Sequence, residues 1–128
     1  MKTASWGITH SIADDVIVMS LYGMFDHIIC KTYLSTILQE AGNINGFIFQ
    51  MNSVNVPPEK DLSELIASVR RQTAIRRIAV IASNNSRGDV AEKSFEYSIF
   101  KDSDVKICFD VESAIDWSSQ IKSTYRLN

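Results

Sequence analysis

The spacing of apolar residues switches repeatedly along this chain between a period of two and a period near four. Trp6, Ile8, His10 and Ile12 alternate with Gly7, Thr9 and Ser11, the rhythm of a half-buried strand. Asp14-Asp15 then supplies a polar turn, and residues 16–21 form a second, more uniformly apolar strand. So short a connection predicts an antiparallel hairpin. Cys30, Tyr33, Leu34, Ile37, Leu38 and Ala41 recur at helical spacing behind Asp26, whose carboxylate can accept from the free N–H groups of a first turn. Gly42 and Asn43 end that helix.

Residues 47–51 (FIFQM) are apolar on both faces except for Gln50, as suits a central strand covered on both sides. Pro57-Pro58 opens a second helix. Leu62, Leu65, Ile66 and Val69 mark its inner face, and Glu59, Lys60, Asp61, Glu64, Arg70 and Arg71 its outer face. Residues 78–82 (IAVIA) read as another buried strand. The polar loop 83–88 leads into a third helix, with Ala91, Phe95, Ser98 and Ile99 on one face and Tyr97 and Phe100 off it. Val105, Ile107 and Phe109 alternate with Lys106 and Cys108, which predicts an edge strand. Asp110 caps a last helix expected to run from Val111 to about Tyr125, with Phe109 and Ala114 at the two positions of a hydrophobic staple.

The order ββαβαβαβα predicts an α/β fold: an N-terminal antiparallel hairpin, then repeated strand–helix units in a mixed, mainly parallel five-stranded sheet with right-handed crossovers. The length, 128 residues, suits a single domain over residues 1–128. Such a chain can bury a core without disulfides or a metal. A formal net charge of −2 gives no basic excess for nucleic acid. Two cysteines, Cys30 and Cys108, are too few for a disulfide framework and read as buried, reduced thiols. No apolar run approaches the roughly 18 residues of a membrane span, and residues 1–6 lack the apolar core of a signal peptide. The expectation is a cytoplasmic protein.

Three stretches resemble the STAS domain, and in particular its SpoIIAA-like group. Leu21-Tyr22-Gly23-Met24-Phe25-Asp26 is similar to the strand–Gly–hydrophobic–Asp entry into that family's first helix. Residues 47–54 (FIFQMNSV) are similar to its third strand and the polar loop after it. Residues 109–117 (FDVESAIDW) resemble its closing strand-to-helix segment. The resemblance spans nearly the whole chain and implies a small domain that binds rather than catalyses. It also implies a comparison with lipid-binding Sec14-type domains. One departure matters. Anti-sigma factor antagonists of the family carry an Asp-Ser-Ser-Gly signature at the start of the second helix, with a serine that is phosphorylated. Here residues 56–61 read Val-Pro-Pro-Glu-Lys-Asp, with no hydroxyl at the site.

In an open α/β sheet, ligands and partners are met where strands end and helices begin. The expected partner or ligand site is therefore Asn52, Ser53, Asn55 and Glu59, together with Ser83, Asn84, Asn85, Ser86 and Arg87 of the neighbouring loop, whose hydroxyls, amides and helix N-terminus suit an anion. Trp117, Ile121 and Tyr125 repeat at four-residue spacing beside the core stripe of the last helix, as an apolar pocket or homodimer contact would require. No catalytic set and no metal site emerges. His27 and Cys30 share a helix face, but Cys30 lies on the apolar stripe, and the scattered His10, His27, Cys30 and Cys108 have no zinc spacing. Arg70-Arg71 and Arg76-Arg77 can face acidic partners, although a solvated rim is the plainer reading. The chain thus reads as a non-enzymatic regulatory or protein-interaction domain needing no cofactor, with an unidentified protein partner. The alternative is a carrier of a small apolar or lipid ligand, its cavity lined by Phe47, Phe49, Trp117 and Tyr125.

Overall fold

The computed structural model describes residues 7–22, 27–40, 42–52, 59–82 and 97–119. Strands β1 (Gly7–Ala13) and β2 (Val16–Tyr22) form the hairpin, followed by α1 (His27–Glu40), β3 (Gly46–Asn52), α2 (Glu59–Gln72) and β4 (Arg77–Ala82). A short 3-10 turn (Ser98–Lys101), β5 (Val105–Cys108) and α3 (Val111–Ser118) complete the described order. The strands line up as β1-β2-β3-β4-β5. Only β1 with β2 is antiparallel; β2–β3, β3–β4 and β4–β5 are parallel. This is the mixed sheet that the hairpin and the repeated strand–helix units predict, and it leaves β1 and β5 as its edges.

Alternation along each strand divides the buried side chains between two cores. Ile17, Met19, Leu21, Phe47, Phe49, Met51, Ile78, Val80 and Val105 point to one face and meet Leu34 and Ile37 of α1 and Leu62, Leu65, Ile66 and Val69 of α2. Val16, Val18, Ile48, Ala79, Ile81 and Cys108 point to the other and meet Ala114 of α3. Phe47 and Phe49 are wholly buried and tilted against each other, 4.8 Å between ring centres. Gln50, the polar exception in β3, lies opposite Ser20 in the parallel register and accepts a 3.0 Å hydrogen bond from its hydroxyl. That bond satisfies an amide in the middle of the sheet.

The hairpin turn is tied to two distant elements. Asp14 takes the left-handed conformation (φ 55°), which Asp tolerates better than most residues. Asp15 is buried at 3% exposure. Its carboxylate accepts from Asn45 Nδ2 at 2.9 Å and from the Ser119 hydroxyl, and its main-chain carbonyl accepts from the N–H of Asn45 at 2.8 Å. A buried carboxylate is tolerable only when its oxygens are satisfied in this way.

Two expected helices differ from the structure. Of the third, residues 97–101 are described, and they form an extended residue followed by the 3-10 turn; residues 83–96 lie outside the described residues. Tyr97 packs into the larger core and stacks on Phe100, 6.0 Å apart at 8°. The last helix ends at Ser118 rather than near Tyr125: Ser119 is extended (ψ 142°), its N–H closes on Ile115 O, and its hydroxyl goes to Asp15. Asp110 caps that helix as expected, accepting from the Ser113 N–H at 2.7 Å. The staple pairs unequally, with Ala114 buried and Phe109 43% exposed. Cys108 is buried, as expected, in the smaller core on the face that α3 covers.

Candidate functional site

The parallel strands β2, β3 and β4 all end on one rim of the sheet. Asn52 closes β3 opposite Tyr22, and Met51 is level with Ala82 at the end of β4. The ends of β3 and β4 therefore lie side by side. Of the expected rim residues, Asn52 and Glu59 belong to described elements. Ser53, Asn55, Ser83, Asn84, Asn85, Ser86 and Arg87 lie outside the described residues, as do Ile121 and Tyr125 at the other end of the chain.

Glu59 opens α2, where Glu59 and Asp61 meet the positive end of the helix dipole. Its carboxylate does not simply face water. It accepts from the N–H of Ser98 at 2.6 Å and from the Ser98 hydroxyl at 2.7 Å. The Ser98 hydroxyl and N–H, with Lys101 nearby, hold its pKa below the usual carboxylate value. Glu59 thus ties the start of α2 to the 3-10 turn. No local pattern signals this bond, because the partners are 39 residues apart and Ser98 reads as an ordinary helix residue.

The arginine clusters are dispersed by the fold. Arg70 bonds Asp102 at 2.9 Å, Arg71 reaches Glu64 at 3.4 Å, and Arg76 lies 3.8 Å from Asp104. Arg77 turns to the opposite side of the sheet and donates to the main-chain carbonyl of Trp117 at 2.6 Å. Its guanidinium lies 5.4 Å, and the Lys106 ammonium 5.7 Å, from the centre of the Trp117 ring. Trp117 is half-buried at the rim of the smaller core, bracketed by two cations.

A groove of about 450 Å³ opens between α1 and β1. Ile28, Ile29, Thr32, Tyr33, Thr36 and Ile37 line its helix side, with Glu40 at one end, and His10 lines its strand side. His10 Nδ1 and the Tyr33 hydroxyl are 2.8 Å apart, with the rings edge to face. A more polar cavity of about 560 Å³ lies at the opposite end of the sheet, where Asn43, Asn45, Gln72 and Thr73 meet. Phe47, Phe49 and Trp117, the side chains expected to line a ligand cavity, line neither of these two. Sequence reasoning missed the groove because His10 and Tyr33 belong to elements whose pairing only the fold fixes. Among the described residues, no three His, Cys, Asp or Glu side chains converge as a metal would need, and no helix is long and apolar enough to cross a membrane.

This architecture is the SpoIIAA-like, or STAS, fold. A solved structure of the anti-sigma factor antagonist SpoIIAA, in its unphosphorylated form, is similar to the chain with a TM-score of 0.62. The match covers 91% of this chain and 100% of that one at 16% identity. No family model and no curated protein matches the sequence.

Proposed function

We propose that the chain is a non-enzymatic, cytoplasmic regulatory domain that binds a protein partner through the rim where β3 and β4 end and α2 begins. The observation that carries this reading is the SpoIIAA-like fold across nearly the whole chain, joined to the general use of strand-end rims as binding sites. The partner would meet Asn52, Ser53, Asn55 and the loop holding Ser83, Asn84, Asn85, Ser86 and Arg87. Residues 56–61 (VPPEKD) offer no hydroxyl for a kinase, and Glu59 stands there as a carboxylate bound to Ser98. Partner binding is therefore not switched by phosphorylation at the start of α2.

The test compares wild-type protein with an Asn52→Ala, Asn55→Ala, Arg87→Ala triple variant as baits, after matching their melting temperatures. A partner held by the wild type and lost by the variant supports the rim. No partner, or one held equally by both, overturns it. A second reading, a carrier of a small apolar or lipid ligand, draws support from the groove between α1 and β1 and has its own measurement: native mass spectrometry of freshly purified protein, in which an adduct lost on organic extraction is the expected sign.

A further inference from the structure

The side of the molecule formed by β1 and α1 is lined by uncharged side chains from His10 to Thr36, with one carboxylate, Glu40, at its far end. β1 reads Gly-Ile-Thr-His-Ser-Ile-Ala and carries none of the usual guards of an exposed edge: no Lys, no Pro and no acidic residue. Among the described residues nothing pairs with its outer side. The register fixes which backbone groups face outward. In an antiparallel pair closed by a two-residue turn, the closing residues exchange hydrogen bonds and every second pair does so after them. Ala13–Val16 closes the turn, so Ser11, Thr9 and Gly7 bond to β2. The N–H and C=O groups of Ile8, His10 and Ile12 point away from the sheet.

The helix beside this edge is also prepared for burial. Ile28, Thr32 and Thr36 follow one another at four-residue spacing along α1, with Ile29 alongside, and the row ends at Glu40 in the last turn. Ile28 is 65% and Ile29 37% exposed, and Ile12 on the strand is 53% exposed. The two threonines do not present free hydroxyls: Thr32 Oγ1 donates to Ile28 O and Thr36 Oγ1 to Thr32 O, both at 3.1 Å. Covering them leaves no donor unsatisfied. Lys31, the cation of this part of α1, is turned toward α2 and bonded to Glu64 at 3.1 Å. The charged exposed face of α2 offers no comparable surface.

We propose that this surface pairs with a second copy of the chain, β1 against β1 in antiparallel register about His10, to give a continuous ten-stranded sheet. A two-fold axis perpendicular to the sheet keeps both α1 helices on the same face and sets them antiparallel across the groove. Thr32 of one copy then lies near Thr32 of the other. This occupant accounts for all three features together. A foreign strand would satisfy the edge of β1 but would bring no helix to cover Ile28 and Ile29. A small ligand would fill the groove and leave the edge open. A second copy meets no like charge on β1. The surface falls short of the roughly 20–30 residues per side of a standard interface, so the dimer is weak, in the micromolar range. The proposal does not depend on the rim reading above.

Sedimentation velocity on the full chain between about 1 and 500 µM, with amide exchange measured at both ends of the range, tests it. The expected result is reversible dimerisation with slowed exchange at the amides of Ile8, His10 and Ile12. Thr32→Glu places like charges across the axis and raises the dissociation constant at least about tenfold without changing the monomer's melting temperature. His10→Pro removes an outward N–H that β2 does not use and has the same effect on association. A wild type that stays monomeric throughout overturns the proposal. So does a dimer that both variants leave unchanged, or a monomer that carries a small apolar molecule in native mass spectrometry.

Discussion

Gly46, the first residue of β3, lies directly beneath Ser118, the last residue of α3. A methyl group at position 46 would sit 2.6 Å from the Ser118 carbonyl oxygen and 2.7 Å from its Cβ. Both obstacles are at or beside the backbone, so neither can turn away. Gly46→Ala is expected to destabilise the fold by about 1–3 kcal/mol through overpacking. The contact partner behaves differently. The Ser118 hydroxyl donates to Ala114 O at 2.7 Å within its own helix, so Ser118→Ala costs less than about 1 kcal/mol. Urea unfolding of the two variants checks the contrast, and equal effects would contradict it.

The carboxylates whose pKa values are lowered predict an acid-side loss of stability. The Ser98 hydroxyl and N–H hold Glu59 below its ordinary value, Lys31 and Arg71 do the same for Glu64, and Arg70 with the Asp104 N–H for Asp102. A carboxylate whose folded pKa is depressed stabilises the protein above its unfolded pKa, and that contribution is lost as pH falls through the folded value. The window opens below about pH 4, the ordinary carboxylate range. Glu59→Gln keeps the size of the side chain and removes the charge. It is expected to be less stable than wild type at pH 7, with the difference shrinking toward pH 3. Melting curves across that range decide it; a gap independent of pH would mean the charge of Glu59 contributes nothing.

Strand identity was legible because the apolar run of β3 and the alternation of β1 follow directly from which faces are covered. The helix stripe of α2 was legible for the same reason: Leu62, Leu65, Ile66 and Val69 are all buried. What failed was any reading that needed a long-range partner. The end of α3 is set at Ser118 partly by Asp15, about a hundred residues earlier, and no local signal marks it. Trp117 was legible as an apolar residue beside the core stripe, but the two cations at its ring, Arg77 and Lys106, come from β4 and β5 and could not be read locally. Cys108 was legible as a buried thiol, while the helix that covers it became visible only with the fold, because alternation in a four-residue strand shows two sets of side chains but not which helices cover them. The rim was legible only as a position, while the bond between Glu59 and Ser98 became visible with the fold.

The two thiols are expected to be inert in the native state. Cys30 is 2% and Cys108 5% exposed. Burial pushes the Cys108 thiol pKa up, against the pull of Lys106 and with a further push from Asp110. Since the thiolate is the reactive form, an aromatic disulfide reagent at pH 8 should modify both residues at least about 100-fold more slowly in buffer than in denaturant. Fast labelling of native Cys30 would show that α1 opens locally or that His27 activates it.

Arg77 and Trp117 provide the last test, because they join β4 to the end of α3 by two interactions at once. The guanidinium donates to the Trp117 carbonyl at 2.6 Å and lies 5.4 Å from the ring centre. Lys106 contributes a ring contact at 5.7 Å. Arg77→Met retains much of the apolar stem but loses the hydrogen bond and the cation, an expected cost of about 1–2 kcal/mol. Lys106→Met loses only the more exposed cation and should cost about 0.5 kcal/mol. In a Trp117→Phe background the Arg77 effect should shrink by the ring's share and keep the hydrogen-bond share. A double-mutant cycle on unfolding free energy measures this coupling. Additive effects would place Trp117 outside the reach of Arg77's charge and reduce its role to packing against the smaller core.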